Sequence, residues 1–509
     1  MGHNGFDLAA AAYREMVSDG FKPDLPAGTT EQVEAIRKAL AAPGGGAAGA
    51  AAPSGGAARD LRELLWSSID NDTSRDLDQV EWAERIAPAA DGTGGGIRVS
   101  VGIADVAGAV ARGTPIDQHA AEQTKTIYTG VRNFPMLPNE LSTGLTSLNQ
   151  DEDRAAVVTE YVVDAQGCRT QGTVYRALLR NKAQLAYSKV GPWLEGKLCE
   201  GHLPCTDVKI AGSPELQAQL KLQDEAAQAM RAERMRNGAV DFRRIEADPL
   251  VVDGQVKAIQ EAVHNRATEL IEEFMVGANE TMAETLQKAG RSCIRRVVRV
   301  PQRWDRIVEL AKAKGTALPT EPDSAALSGF LQAQRTKDPV HYPDLSLAVI
   351  KLMGAGEYVL VAANDPEPLG HFGLAARDYA HSTAPNRRFP DLVVQRLIEA
   401  LLDGKPAPYT DDELRAIATQ CNVQEHASHK VERAMTKRVA AVALADKIGQ
   451  RFHGVVTGAG DKGTYVRVFS PPVEGRIVQG EKGLDVGDQV DVKLIHTNPQ
   501  MAFIDFARA

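Results

Sequence analysis

Residues 43–58 read PGGGAAGAAAPSGGAA. No side chain in that run is larger than a proline ring, so the run has almost no apolar surface to bury and reads as a low-complexity linker. It divides a chain of 509 residues into a short leading piece, 1–42, and a body that must supply its own core. The body is long enough for more than one domain.

The leading piece reads as two helices. DLAAAAYREMVSDG ends on glycine, and TTEQVEAIRKALAA opens on a threonine cap and stops before Pro43. Together they make a unit of helix-turn-helix size, too small to be stable unless it packs against something else. From residue 59 the pattern alternates between strand-like runs (GIRVSVGIADVA; AAVVTEYVVDAQGCRTQGTVYRALL) and long helical repeats such as VHNRATELIEEFMVGANETMAETLQKAG. We read 59–450 as one large mixed α/β domain with appended helices. The period changes again at 451–509. Five short alternating segments (453–457, 464–469, 474–478, 488–495, 501–506) separated by glycine and proline turns predict a small five-stranded OB-like barrel. Tyr465, Phe469 and His453 are candidates there for stacking on bases or for covering the barrel. The fold class expected is thus a multidomain α/β chain with a small N-terminal helical unit and a C-terminal β-barrel.

Composition excludes several classes. No run of 18 apolar residues exists to span a membrane, and the N-terminus has no basic region leading into an apolar core, so we expect neither membrane association nor secretion. Five scattered cysteines argue against a disulfide framework and for a reducing cytoplasm. Cys199, His202 and Cys205 are too few and too oddly spaced for a structural zinc site. The net charge of −9 does not advertise nucleic-acid binding, although basic residues cluster at Arg291–Arg306 and Lys430–Arg451.

The stretch IDNDTSRDLDQV, 69–80, crowds Asp70, Asp72, Asp76 and Asp78 together. Carboxylates so close repel one another unless a cation sits among them, and oxygen donors suit hard divalent ions. A solvated acidic turn is the plain alternative. A calcium loop is another: Asp70, Asp72, Ser74, Asp78 and Glu81 fall at its ligand positions, but Arg75 stands where its glycine belongs.

Several stretches together resemble the RNB (ribonuclease II / ribonuclease R) family of 3′→5′ exoribonucleases: IDNDTSRDLDQV, VSVGIADVAGAV, NFPMLPNELSTGLTSL, ELIEEFMVGAN and HFGLAARDYAHSTAPNRRFPDLVVQR. They fall in family order over about 60–400, and the terminal barrel resembles the S1 RNA-binding domain. The resemblance implies a Mg²⁺ site at Asp70, Asp76 and Asp78, with two ions roughly 4 Å apart serving an in-line displacement. It implies base stacking by Tyr128 and Phe242, ribose recognition by Glu272, and a phosphate contact by Arg387 near the reaction centre. Arg388 is a candidate for an ion pair with Asp391, and His381 for a structural role. The family's acidic residue after the last aspartate is here Gln79, which coordinates without charge. Its usual pair of cold-shock domains does not fit in the residues ahead of the body. The expectation is a monomeric, cytoplasmic enzyme that takes single-stranded RNA 3′ ends to nucleoside 5′-monophosphates. The alternative is an RNA-binding protein on an impaired RNB scaffold.

Overall fold

The computed structural model describes residues 6–42, 58–88, 94–197, 207–242, 247–252, 255–261, 264–339, 341–363, 365, 370–376, 378–460 and 463–509. Most of the linker, together with Cys199, His202 and Cys205, lies outside them.

The body is organised by a mixed sheet. Its strands are β1 (Arg59–Asp60), β2 (Trp66–Asp70), β3 (Gln79–Ile86), β4 (Gly96–Ala104), β5 (Asp153–Val163) and β6 (Arg169–Ala186), in the order β1-β6-β2-β3-β4-β5. β6 is long enough to pair antiparallel with β5 along its first part and parallel with β2 along its last. The sheet therefore closes on itself. Val99, Val101, Ile103, Val157 and Tyr161 are fully buried, as the alternation of valine and isoleucine in these strands requires. Gly102 permits this packing, because a Cβ there would stand 2.4 Å from Leu179 Cδ1.

The helices α1 (Leu8–Ser18) and α2 (Thr29–Ala41) form where expected but pack at separate places. Leu8, Ala12 and Met16 join Val431, Met435 and Val439, whereas Val33 and Ile36 join the main core. Several further helices flank the sheet or extend from it, three of which bear on the site. These are α3 (Pro214–Arg236), α4 (Arg266–Lys288) and α5 (Phe389–Leu402), of which α4 begins with a capping box between Asn265 and Thr268. The 33-residue helix α6 (Asp411–Ala443) then runs from body to barrel. The barrel is closed, with strands Arg451–Gly458, Thr464–Phe469, Pro472–Gln479, Gln489–Asn498 and Phe503–Arg508 around Val466, Val468, Leu494 and Phe506. Its five strands match the five sequence segments in position. Among the described residues, no helix is long and apolar enough to cross a membrane.

Candidate active site

The acidic stretch is the connection between β2 and β3. Asp70 ends β2, Gln79 begins β3, and what lies between is held by its one apolar residue. Leu77 is 1% exposed. Its N–H donates to Ser147 Oγ at 3.0 Å, Ser147 Oγ donates to the Arg75 carbonyl at 2.8 Å, and Leu148 N–H donates to the Leu77 carbonyl at 2.9 Å. With Leu77 pinned inward, Asp76 on one side of it is set at the wall of a cavity and Asp78 on the other is buried behind that wall. The chain leaves this turn as a strand rather than a helix, and Glu81, the last ligand position of the calcium-loop alternative, is buried in β3. A loop-then-helix calcium motif is therefore not what these residues build.

The cavity, about 440 Å³, is lined by Asp70, Asp76, Gln79, Tyr128, Arg387 and Arg388, with Tyr187 and the α4 side chains Ile271, Met275 and Asn279. Asp70 Oδ1 accepts from Asn71 N–H at 2.7 Å and Ser74 Oγ at 2.8 Å. Asp76 Oδ2 accepts the Tyr128 hydroxyl at 2.6 Å. Asp78 lies behind them, 1% exposed; it accepts from Asn386 N–H at 3.0 Å and Arg387 Nε at 3.1 Å. Burial pushes the Asp78 carboxyl up to about 7 against the opposing pull of Arg387. Burial also raises Asp70, with backbone and Ser74 hydrogen bonds working the other way. The charge of Asp78, with those of Asp70 and Asp76, holds Arg387 protonated despite its desolvation. The Arg387 side chain nonetheless stays 43% exposed, and Tyr128 is 40% exposed, so a guanidinium and an aromatic ring face the space above the carboxylates.

The loop carrying Arg387 is braced from within. Asp391 Oδ1 accepts from Ala384 N–H at 2.9 Å and from Arg388 at 2.7 Å, the ion pair expected from the sequence. His381 is depressed far below the ordinary histidine range, chiefly by burial and then by Arg388 and Arg296. Its Nδ1 lies 2.8 Å from the Tyr358 hydroxyl, a structural setting. Asp72 accepts from Ser188 Oγ at 2.8 Å and so ties the turn to the chain following β6.

Two of the residues singled out from the sequence stand elsewhere. Phe242 and Glu272 line a second cavity of about 590 Å³, with Arg234, Arg296 and His371. Phe242 packs on the helical cluster around Trp304 and Tyr342. Glu272 accepts from Arg234 at 3.1 Å, and the same arginine binds the fully buried Glu273 at 2.6 Å. The sequence reading missed Tyr187, Met275 and Asn279. The signal for two of them was present, since Ile271, Met275 and Asn279 follow one another at i, i+4, i+8 on one face of α4. Among the described residues, no three His, Cys, Asp or Glu side chains converge closely enough to enclose an ion. On the barrel, His453 and Phe469 have ring centroids 5.6 Å apart.

The arrangement has known counterparts. The RNB domain family matches residues 58–404, and the RNase II-type exonuclease C-terminal S1 domain matches 450–509. Ribonuclease R of Aquifex aeolicus is 29% identical over 477 residues, covering 88% of this chain; the chain spans 64% of that relative's length. The structure of Mycoplasma genitalium RNase R in complex with ribose methylated single-stranded RNA aligns with a TM-score of 0.83 at 24% identity, covering 99% of this chain and 79% of that one. The same enzyme in complex with double-stranded RNA aligns with a TM-score of 0.82 at 25% identity, covering 99% and 84%. With the closed sheet, the aspartate turn and the terminal barrel all in place, the chain belongs to the RNB domain family and ends in an RNase II-type S1 domain.

Proposed function

We propose that this chain is a Mg²⁺-dependent 3′→5′ exoribonuclease that removes nucleoside 5′-monophosphates from single-stranded RNA ends by a two-metal mechanism. The observation that carries this reading is the cavity where Asp70 and Asp76 meet Tyr128 and Arg387, with Asp78 behind them on Arg387.

The donor set suits a hard cation. All of its donors are oxygens, with Gln79 adding a neutral one, and burial lifts Asp70 and Asp78 where a cation would relieve them. Asp70, Asp76 and Asp78 do not enclose an ion by themselves; they would hold the ions together with water and phosphate oxygens, since magnesium takes few protein carboxylates. When bound, a pair of such ions supplies positive charge to the attacking and leaving oxygens of the displacement.

The chain's own groups do the rest. Arg387, held on Asp78 by its Nε, presents the rest of its planar fork to a phosphate and to charge that builds up in the transition state. Tyr128 is oriented by Asp76 and offers a ring face to a base of any identity, a contact that contributes about 1–3 kcal/mol. Phe242 and Glu272 contact the strand from the second cavity, Phe242 by stacking and Glu272 by accepting from ribose hydroxyls, which distinguish RNA from DNA. The S1 barrel captures single strand ahead of the cavity. We place the protein in the cytoplasm on the strength of its cysteine usage, and propose that it acts as a monomer. Division of the chain at residues 42, 58 and 450 accompanies this reading.

Incubating 5′-labelled RNA with Mg²⁺ tests the proposal. Progressive shortening with release of mononucleotides is expected; an intact oligomer would refute it. Gln79 motivates the second reading, an RNA-binding protein on an impaired RNB scaffold, for which the same experiment gives binding without shortening.

A further inference from the structure

Glu81 lies one full strand repeat beyond Gln79 in β3, so the two side chains leave the sheet on the same face. Gln79 reaches the cavity. Glu81 is 0% exposed, and neither of its carboxyl oxygens has a hydrogen-bond partner. Its neighbours across the sheet offer no cation. Ser67 stands opposite on β2 and Val101 opposite on β4, with Thr159 next beyond Val101 on β5. The hydroxyls of Ser67 and Thr159 are unpartnered as well. The charged group that acts on Glu81 is Asp70, and it repels. Tyr187, which lines the cavity, senses Asp70 and Glu81 together.

An unpaired carboxylate buried in a sheet is among the least favourable groups a fold can contain. A valine fills the equivalent place on the next strand, so the surroundings suit an apolar side chain. A divalent cation at the aspartates changes the balance, because its two positive charges oppose the repulsion from Asp70. Gln79, at the end of the strand, contributes an oxygen and no charge.

We propose that Glu81 is a fourth carboxylate of the cation site built on Asp70, Asp76 and Asp78, supplying from within β3 the charge that Gln79 lacks. This rests on the metal reading given above and deepens it. The site would then draw charge from inside the sheet as well as from the cavity wall, whereas a glutamine at 79 alone would leave it one charge short.

The test is Mn²⁺ binding to the full-length protein without RNA, read by the loss of the free-ion EPR signal, for wild type, Glu81→Gln and Glu81→Leu. Both variants are expected to bind about tenfold or more weakly at the tightest site, and to bind RNA in chelator as wild type does. Moving the charge back in the double variant Gln79→Asp/Glu81→Gln is expected to restore affinity to within about threefold of wild type, and the two near-isosteric Glu81→Gln variants keep the test decisive if Glu81→Leu folds poorly. Unchanged Mn²⁺ affinity in Glu81→Gln overturns the inference while leaving the metal reading intact, as does failure of the double variant to recover. Glu81 would then be a neutral acid bonded within the sheet, by a turn of Ser67, and Glu81→Leu would raise the melting temperature without metal. Absence of Mn²⁺ binding in the wild type overturns both.

Discussion

Tyr128 and Arg387 stand over the carboxylates; in the proposed reading one stacks on a base and the other binds phosphate, and single substitutions test that division. Tyr128→Ala removes a stacking face and is expected to weaken RNA binding in chelator by about 1–3 kcal/mol. Tyr128→Phe loses only the 2.6 Å bond to Asp76, so it should bind RNA nearly as wild type does in a filter assay. Arg387→Lys keeps the charge but loses the planar fork. We expect it to lower the single-turnover rate by roughly 10²–10³, the range for losing one preorganised donor, with little change in RNA affinity. An unchanged rate would remove Arg387 from the reaction. Residues with a charge or an aromatic ring in a family motif could be picked from the sequence in this way. Glu81 was legible only as the last ligand position of a calcium loop; its place in a strand, its burial and its lack of partners needed the structure.

The elements around the site hold it through few contacts. Ser147 joins the Leu77 N–H to the Arg75 carbonyl, so Ser147→Ala strands the buried Leu77 N–H and frees the Arg75 carbonyl. It is expected to cost about 1–3 kcal/mol in denaturant unfolding and to reduce cleavage more than RNA binding. Gly191 lies against the cap of α4, where a Cβ would come within 2.3 Å of all three terminal atoms of the Asn265 side chain. Gly191→Ala should therefore displace the capping box and cost about 0.5–2 kcal/mol or more, seen as a lower melting temperature. Both long helices and barrel strands were legible in the sequence, since period and turn residues mark them locally. The position of Phe242 was not. Its motif fixes neighbours along the chain, whereas its place beside the Trp304 cluster depends on three helices that lie 60 or more residues further on. For the same reason the family motif for Glu272 gave no hint that Arg234 on α3 would hold it.

At the scale of the molecule, Arg438 on α6 links three parts. It bonds Glu15 of α1 at 2.8 Å, the Pro499 carbonyl of the barrel at 3.0 Å, and the Gln500 carbonyl beside it. A second tie joins Arg467 of the barrel to Asp344. Arg438→Ala is expected to raise protease sensitivity near α1 and the barrel while leaving cleavage of short oligomers intact. Equal resistance to protease would show that apolar packing holds these parts without it. The N-terminal helices read from the sequence as one small unit, but each found its apolar partner on a different part of the body. Amphipathic patterning shows that a face must be covered and is silent on what covers it. The central claim, that Asp78 serves chemistry rather than capture of RNA, is tested most directly by Asp78→Asn assayed with end-labelled RNA in Mg²⁺ and in chelator. We predict that release of mononucleotides is abolished while the RNA dissociation constant in chelator stays within about twofold of wild type. Cleavage at the wild-type rate would contradict the account.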